Sequence, residues 1–229
     1  MFIALIPAAG SGSRMGSDSS KLLLNIKGQS VLARTLTTFL KNPDCKKIIL
    51  LVSESDKDQI TAEVKRIDNN SIIECLVGGD SRQSSVYNGL KRIKEVYPDS
   101  SPLVCIHDAA RCLLSEGLLS RAVKEARVSN AVTVAIPVND TIARSESRCY
   151  EKLEHPRSSL VSIQTPQIFD FDLVFQAHNN YLKSGEKQEA TDDASLVQNI
   201  NPVKVVEGEF CNIKITRPLD LEIAKVFLS

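Results

Sequence analysis

Four stretches of this chain carry residue types that suit the handling of anions. The first, PAAGSGSRMGSDSSK, spans residues 7–21. Its small residues let a backbone approach a ligand closely, and successive N–H groups can line an anion-binding concavity. Arg14 and Lys21 add two full positive charges, and the combination suits a triphosphate. The glycines at 10, 12 and 16 read GxGxxxG. That is neither the GxGxxG of dinucleotide-binding proteins nor a Walker A loop, which would end in Gly-Lys-Ser/Thr. The plain alternative is a solvated glycine–serine turn.

The second stretch, GGDSRQSSV, covers residues 78–86. Gly78 and Gly79 end a strand pattern, and Asp80 and Ser85 flank a helix start for which Asp80 is the expected N-cap. Helix N-termini offer free N–H groups and favour anions, although a glycine turn with a cap would look the same. The third, HDAAR at 107–111, follows the apolar run LVCI. A carboxylate at a strand end can hold Mg²⁺, and Arg111 could grip a phosphate in two-point fashion. A solvated Asp–Arg pair is the plain alternative, and His107 reads as structural. The fourth, CNIKITRPLDL, sets Lys214 between Ile213 and Ile215. It reads as an edge or short strand whose lysine faces solvent or an anion.

The elements that must position these residues alternate. Strand patterns fall at Phe2–Ile6, Lys47–Val52, Ile72–Val77, Leu103–Ile106, Ala131–Ile136, Val161–Gln164 and Val203–Val206. Helical periodicity predicts helices over Val31–Leu40, Asp56–Ile67, Arg82–Ile93, Glu116–Val128, Phe171–Leu182, Thr191–Gln198 and Pro218–Leu228. Ser55 and Asp58 are spaced like a capping box for the second of these. Continuous apolar strands separated by helices predict an α/β fold with a mostly parallel sheet covered on both faces. Ligands of such sheets gather at the carboxyl ends of the strands, which is where the four stretches lie. NDTIARSESRCYEKLEHPR, residues 139–157, breaks the pattern. It is polar and weakly strand-like, and reads as a protruding hairpin or arm at about 138–158 on a single domain of residues 1–229.

Lys plus Arg and Asp plus Glu both number 28, so the net charge is zero. Proteins that bind duplex nucleic acid carry a basic excess, because phosphate contacts supply most of their affinity. A nucleic-acid partner is therefore not expected, while a small anionic ligand needs only local charge. The apolar runs are too short to span a bilayer, and Phe2–Ala9 lacks a cationic leader. A cytoplasmic protein is expected, or a stromal one if a transit peptide has been removed. None of the six cysteines stands in a CxxC pair, and several sit in apolar runs, so reduced core thiols are expected.

Taken together, the motifs resemble the 2-C-methyl-D-erythritol 4-phosphate cytidylyltransferases of the non-mevalonate isoprenoid pathway. The resemblance runs in order through PAAGSGSRMG, Lys21, GGDSRQSSV, HDAAR, PVNDT, QTPQIF, TDDAS, VEG and NIKITRPLDL, and covers essentially the whole chain. The chain departs from the family pattern at Ser20, Leu22, Cys112, Ala143 and Pro156. The resemblance implies a Rossmann-like nucleotidyltransferase fold. It also implies transfer of a cytidylyl group from CTP to the sugar phosphate with release of pyrophosphate.

By the same resemblance, Arg14 and Lys21 stabilise the triphosphate and leaving group, and Lys214 meets the α-phosphate. Ala8, Ala9, Gly10, Gly79, Asp80, Ser85 and Ala109 hold the nucleotide. Asp108 is the group nearest Mg²⁺ and borders the second substrate, which Arg111, Thr141, Arg157, Thr165 and Thr191 hold, with Arg157 among the catalytic residues. The arm is implied to cross a homodimer and complete the partner's site. Two other readings stand beside this one: a ribitol 5-phosphate cytidylyltransferase, and a non-catalytic nucleotide-binding module on the same fold.

Overall fold

The computed structural model describes residues 1–10, 20–68, 70–147, 149–153, 155–185 and 190–228. The chain begins with β1 (Phe2–Pro7), a small hairpin of β2 (Asn25–Ile26) and β3 (Gln29–Ser30), α1 (Val31–Leu40) and β4 (Cys45–Val52). It continues through α2 (Lys57–Ile67), β5 (Ile73–Val77), α3 (Arg82–Val96), β6 (Leu103–Ile106), α4 (Glu116–Ser129) and β7 (Ala131–Pro137). A second hairpin, β8 (Ala143–Glu146) and β9 (Cys149–Lys152), follows. The chain then runs through β10 (Val161–Asp170), α5 (Phe171–Ser184), α6 (Ala194–Val197), β11 (Lys204–Glu207) and α7 (Pro218–Phe227).

Seven strands form one sheet in the order β11-β7-β10-β6-β1-β4-β5. All its pairings are parallel except those of β10, which runs antiparallel to both β6 and β7. The strand side chains divide between the faces with a period of two. Phe2, Ala4 and Ile6 of β1, with Ile48, Leu50 and Val52 of β4, pack among Leu32, Leu36 and Phe39 of α1 and Leu118 of α4. Ile3, Leu5, Ile49 and Leu51 point the other way, into Val86 and Leu90 of α3 and Phe171 and Val174 of α5. Each of these large apolar side chains contributes about 1.5–3 kcal/mol on burial. At Gly89 a Cβ would run into the Leu5 side chain; the glycine is what lets α3 lie this close to β1.

Several sequence expectations change. The strand expected over Val161–Gln164 does not end there, although Pro166 cannot donate to a ladder. Instead β10 continues to Asp170 across a register shift between Gln164 and Gln167, a bulge that absorbs Thr165 and Pro166. The N-cap of α3 is Ser81 rather than Asp80. Its Oγ accepts from the Ser84 N–H, and the Ser84 hydroxyl oxygen accepts in return from the Ser81 N–H. The predicted box of Ser55 and Asp58 does not form; α2 starts after Asp56 without a side-chain cap, and Ser53 Oγ accepts from the Asp56 N–H.

The helix predicted from Thr191 shrinks to α6 because Gln167 Oε1 accepts from the N–H groups of Asp193 and Ala194 and holds residues 191–193 as a loop. Residues 211–217 form no strand. Ile215 N–H bonds the Ala110 carbonyl, but among the described residues the segment has no continuous ladder partner. The β8–β9 hairpin is a separate two-stranded sheet, with Ala143 opposite Lys152 and Glu146 opposite Cys149. Among the described residues no helix is long and apolar enough to cross a membrane.

Candidate active site

The carboxyl ends of β1, β5 and β6 open onto one edge of the sheet. The chain turns from each strand within hydrogen-bonding reach of its neighbour: Ala8 N–H bonds Leu51 O at 2.7 Å, Gly78 N–H bonds Val52 O at 2.8 Å, and Ala109 N–H bonds Pro7 O at 3.4 Å. Between these turns lies a cavity of about 460 Å³. Ala8, Ala9, Gly10 and Lys21 line it from the β1 side, and Gly79, Asp80 and Ser85 from the start of α3. Ala109 lines it from the turn after β6. Packing fixes the α3 side: a Cβ on Gly78 would stand 2.6 Å from Ser85 Oγ. Ser85 itself is buried, accepting from the Gly79 N–H at 2.9 Å and donating to the Ser81 carbonyl at 2.7 Å. With Ser81 taking the capping role, Asp80 faces the cavity exposed.

A second cavity of about 310 Å³ adjoins the first, lined by Arg111, Thr165 and Thr191 together with Gln167 and Asp192. Three side chains line both: Arg82, Asp108 and Lys214. Asp108 is their centre. Lys214 Nζ lies 2.8 Å from Oδ2, Arg82 Nε 3.2 Å from Oδ1, and Arg111 Nε 3.7 Å from Oδ2. Burial would raise this carboxyl's pKa. The charges of Arg82 and Lys214 override burial and hold it well below the usual carboxylate range. Arg111 is fixed by donation to the Asn212 carbonyl at 2.8 Å, and burial pulls its pKa down. Lys21 donates to the Ile215 carbonyl at 2.9 Å, tying the β1 side to the segment that carries Lys214.

Thr165 works behind this arrangement. Its Oγ accepts from the Asp108 N–H at 3.1 Å and contacts His107 Nδ1 at 3.0 Å. His107 Nε2 faces the Arg111 carbonyl at 3.1 Å. A carbonyl only accepts, so Nε2 carries the proton and the threonine hydroxyl donates to Nδ1. His107 is fully buried, and burial pushes its pKa down to about 4. The unfolded chain therefore binds this proton more readily than the folded one. The stability contributed is complete above the ordinary histidine pKa of about 6.5 and declines toward pH 4, by at most roughly 1.4 kcal/mol per pH unit. Urea midpoints measured between pH 7 and 4 are expected to fall, and to fall less steeply in His107→Gln.

Two expected residues are not brought to either cavity. Thr141 lies exposed ahead of the β8–β9 hairpin, and Arg157 donates to the Asn139 carbonyl at 2.8 Å. Arg14 lies outside the described residues. Conversely, Arg82 escaped the sequence reading, as did the carboxylate it leans on, Asp193 at 2.8 Å. Arg82 stands inside GGDSRQSSV and Asp193 inside TDDAS, but neither motif shows by its spacing that the two side chains pair. Among the described residues no three His, Cys, Asp or Glu side chains cluster as a metal site. Asp108, as the single carboxylate shared by both cavities, fits a Mg²⁺ that takes most of its ligands from phosphate and water.

Paired strand-end cavities joined by fixed cations define an α/β protein built to bring two phosphate-bearing ligands together. The profile of the 2-C-methyl-D-erythritol 4-phosphate cytidylyltransferases matches residues 2–229. A protein of that name from Desulforamulus reducens is 39% identical over 229 residues, covering 99% of this chain and 95% of the relative. Another from Microcystis aeruginosa is 40% identical over 228 residues, covering 98% and 97%. Among solved structures, the 4-diphosphocytidyl-2C-methyl-D-erythritol synthase of Anaerococcus prevotii superposes with a TM-score of 0.84 at 33% identity, covering 99% of this chain and 98% of that one. The 2-C-methyl-D-erythritol 4-phosphate cytidylyltransferase of Thermus thermophilus gives 0.78 at 33%, with the same coverage. The chain belongs to the 2-C-methyl-D-erythritol 4-phosphate cytidylyltransferase family.

Proposed function

We infer that this chain transfers the cytidylyl group of CTP to 2-C-methyl-D-erythritol 4-phosphate, releasing pyrophosphate, in the synthesis of isoprenoid precursors. The observation that carries the reading at the level of residues is the sharing of Arg82, Asp108 and Lys214 by two adjoining cavities. In this reading the larger cavity takes CTP and the smaller takes the sugar phosphate. An oxygen of the sugar phosphate attacks the α-phosphorus in line. The new P–O bond forms as the bond to the bridging oxygen of pyrophosphate breaks, and the electron pair leaves with pyrophosphate. No covalent intermediate with the protein is needed. What the reaction needs is the suppression of repulsion between two anions, and stabilisation of the charge that grows on the α-phosphate and leaving group.

We assign Lys214 to the α-phosphate and Arg14 and Lys21 to the triphosphate and leaving group. The turns at Ala8–Gly10, Gly79–Asp80 and Ala109, with Ser85 behind them, hold the nucleotide. Arg111, Thr165 and Thr191 hold the sugar phosphate. Mg²⁺, when bound by Asp108 and the nucleotide, supplies further charge neutralisation. Thr141 and Arg157 line neither cavity of their own chain, and Ile142, Val161 and Ile163 nearby are each at least 40% exposed. Both features support a homodimer in which the β8–β9 region completes a partner's site. Soluble substrates favour a cytoplasmic enzyme.

The test is pyrophosphate release from CTP and Mg²⁺ with methylerythritol 4-phosphate or ribitol 5-phosphate. Release with the first alone is expected; release with the second alone would transfer the chain to polyol chemistry. Silence with both, from protein that binds CTP, would leave a nucleotide-binding module. Lys21→Ala is expected to lose turnover, and full turnover would remove Lys21 from the mechanism.

A further inference from the structure

Behind Arg82 lies a buried polar pair that the reaction above does not use. Asp193 is 1% exposed and His178 is fully buried. Asp193 Oδ2 takes one terminal nitrogen of Arg82 at 2.8 Å, and its Oδ1 lies 3.0 Å from His178 Nε2. His178 Nδ1 faces Gln83 Nε2 at 3.3 Å, and the Tyr87 ring lies parallel to the imidazole at 6.3 Å between centroids. The loop that carries Asp193 is clamped in turn by Gln167 Oε1. Every partner of the pair is therefore fixed by an element of the core: α3, α5 or β10.

A buried carboxylate is expensive to desolvate, and burial alone would raise its pKa. Arg82 and the His178 bond hold it below the usual range. So costly a group so near a site is explained by what it does to its partner. Arg82 is a long side chain with several rotamers, and a single contact to Asp108 would not fix the plane of its guanidinium. Here Asp193 takes Nη1 while Nε meets Asp108 at 3.2 Å, so two carboxylates fix the guanidinium from different edges. Two of the five guanidinium N–H groups are thereby spent on carboxylates. Arg82 itself lines both cavities.

We propose that Asp193, oriented by His178, is a positioning residue that holds the Arg82 guanidinium across the junction of the two cavities, where Arg82 contacts the reacting phosphates. The proposal rests on the reaction assigned above.

A double-mutant cycle tests it: Arg82→Gln, Asp193→Asn and the double variant, with kcat and KM for each substrate and a urea midpoint for each protein. Arg82→Gln is expected to lower kcat/KM about 100-fold, and Asp193→Asn about 10-fold, each with a lowered midpoint. The double variant should be no less active than Arg82→Gln alone. It should also be more stable than Arg82→Gln, which leaves a buried carboxylate without its cation. Wild-type kinetics in Asp193→Asn, or losses that multiply in the double variant, would overturn the proposal.

If Asp193→Asn does not fold, Arg82→Lys decides. A lysine keeps the charge but lacks the planar fork, so a loss close to that of Arg82→Gln supports positioning, and full activity overturns it. Wild-type protein that releases no pyrophosphate would instead overturn the reaction assignment. An active wild type beside an unaffected Asp193→Asn rejects the positioning role alone.

Discussion

Lys214→Ala is expected to keep the fold and lose kcat by roughly 10²–10³-fold, the scale seen when one fixed group facing transition-state charge is removed. The side chain is 40% exposed, so its loss opens no core cavity. Its ammonium stands 2.8 Å from Asp108 at the junction of the cavities, where charge must be neutralised as the α-phosphorus is attacked. A ground-state contact would show mainly in KM; a contact that strengthens as pyrophosphate leaves shows in kcat. Lys214→Arg should recover only part of the loss. The guanidinium is larger and planar, and its charge would not sit where the compact ammonium does. Steady-state kinetics with unchanged kcat in Lys214→Ala would remove this residue from the chemistry.

Asp108→Asn is expected to damage both turnover and stability. Three cations converge on this carboxylate, and its side chain is only 10% exposed. Removing its charge leaves Arg82, Arg111 and Lys214 facing one another in a poorly solvated corner. The loss of one partner from such a buried set costs about 3–5 kcal/mol. Turnover should fall by roughly 10²-fold or more, because the three cations are no longer held in register.

The pH dependence gives an independent check. The folded carboxyl titrates below its unfolded value, so its contribution is present above a pH of about 3.9 and is lost as the pH falls through and below that value. Denaturation curves of the wild type should therefore lose stability across that acid window, and Asp108→Asn should be flatter there. An equally steep decline in the variant would show that Asp108 is not the group responsible.

Much of this protein is written in local pattern. Alternating apolar strands and helices spaced at three to four residues dictate an α/β sheet covered on both faces, because each period turns its apolar side chains toward one layer. The turns that follow β1, β5 and β6 could be located from the glycines and charges beyond each strand. The ordered motifs also carried the family. Pattern failed where a contact partner lies far along the chain. Thr165 and Pro166 interrupt a strand reading, yet β10 passes through them because β6 and β7 hold both ends of the bulge. Thr191–Asp193 read as helix until Gln167, in another element, takes the N–H groups.

Composition and spacing by themselves determined the sheet, the strand ends at which ligands gather and the excess of cations there. Only the tertiary structure decided which cations share a carboxylate. Arg82 meets Asp108 across 26 residues of sequence and Asp193 across 111. Pairing at such separations depends on strand order and helix docking, and no local periodicity encodes it.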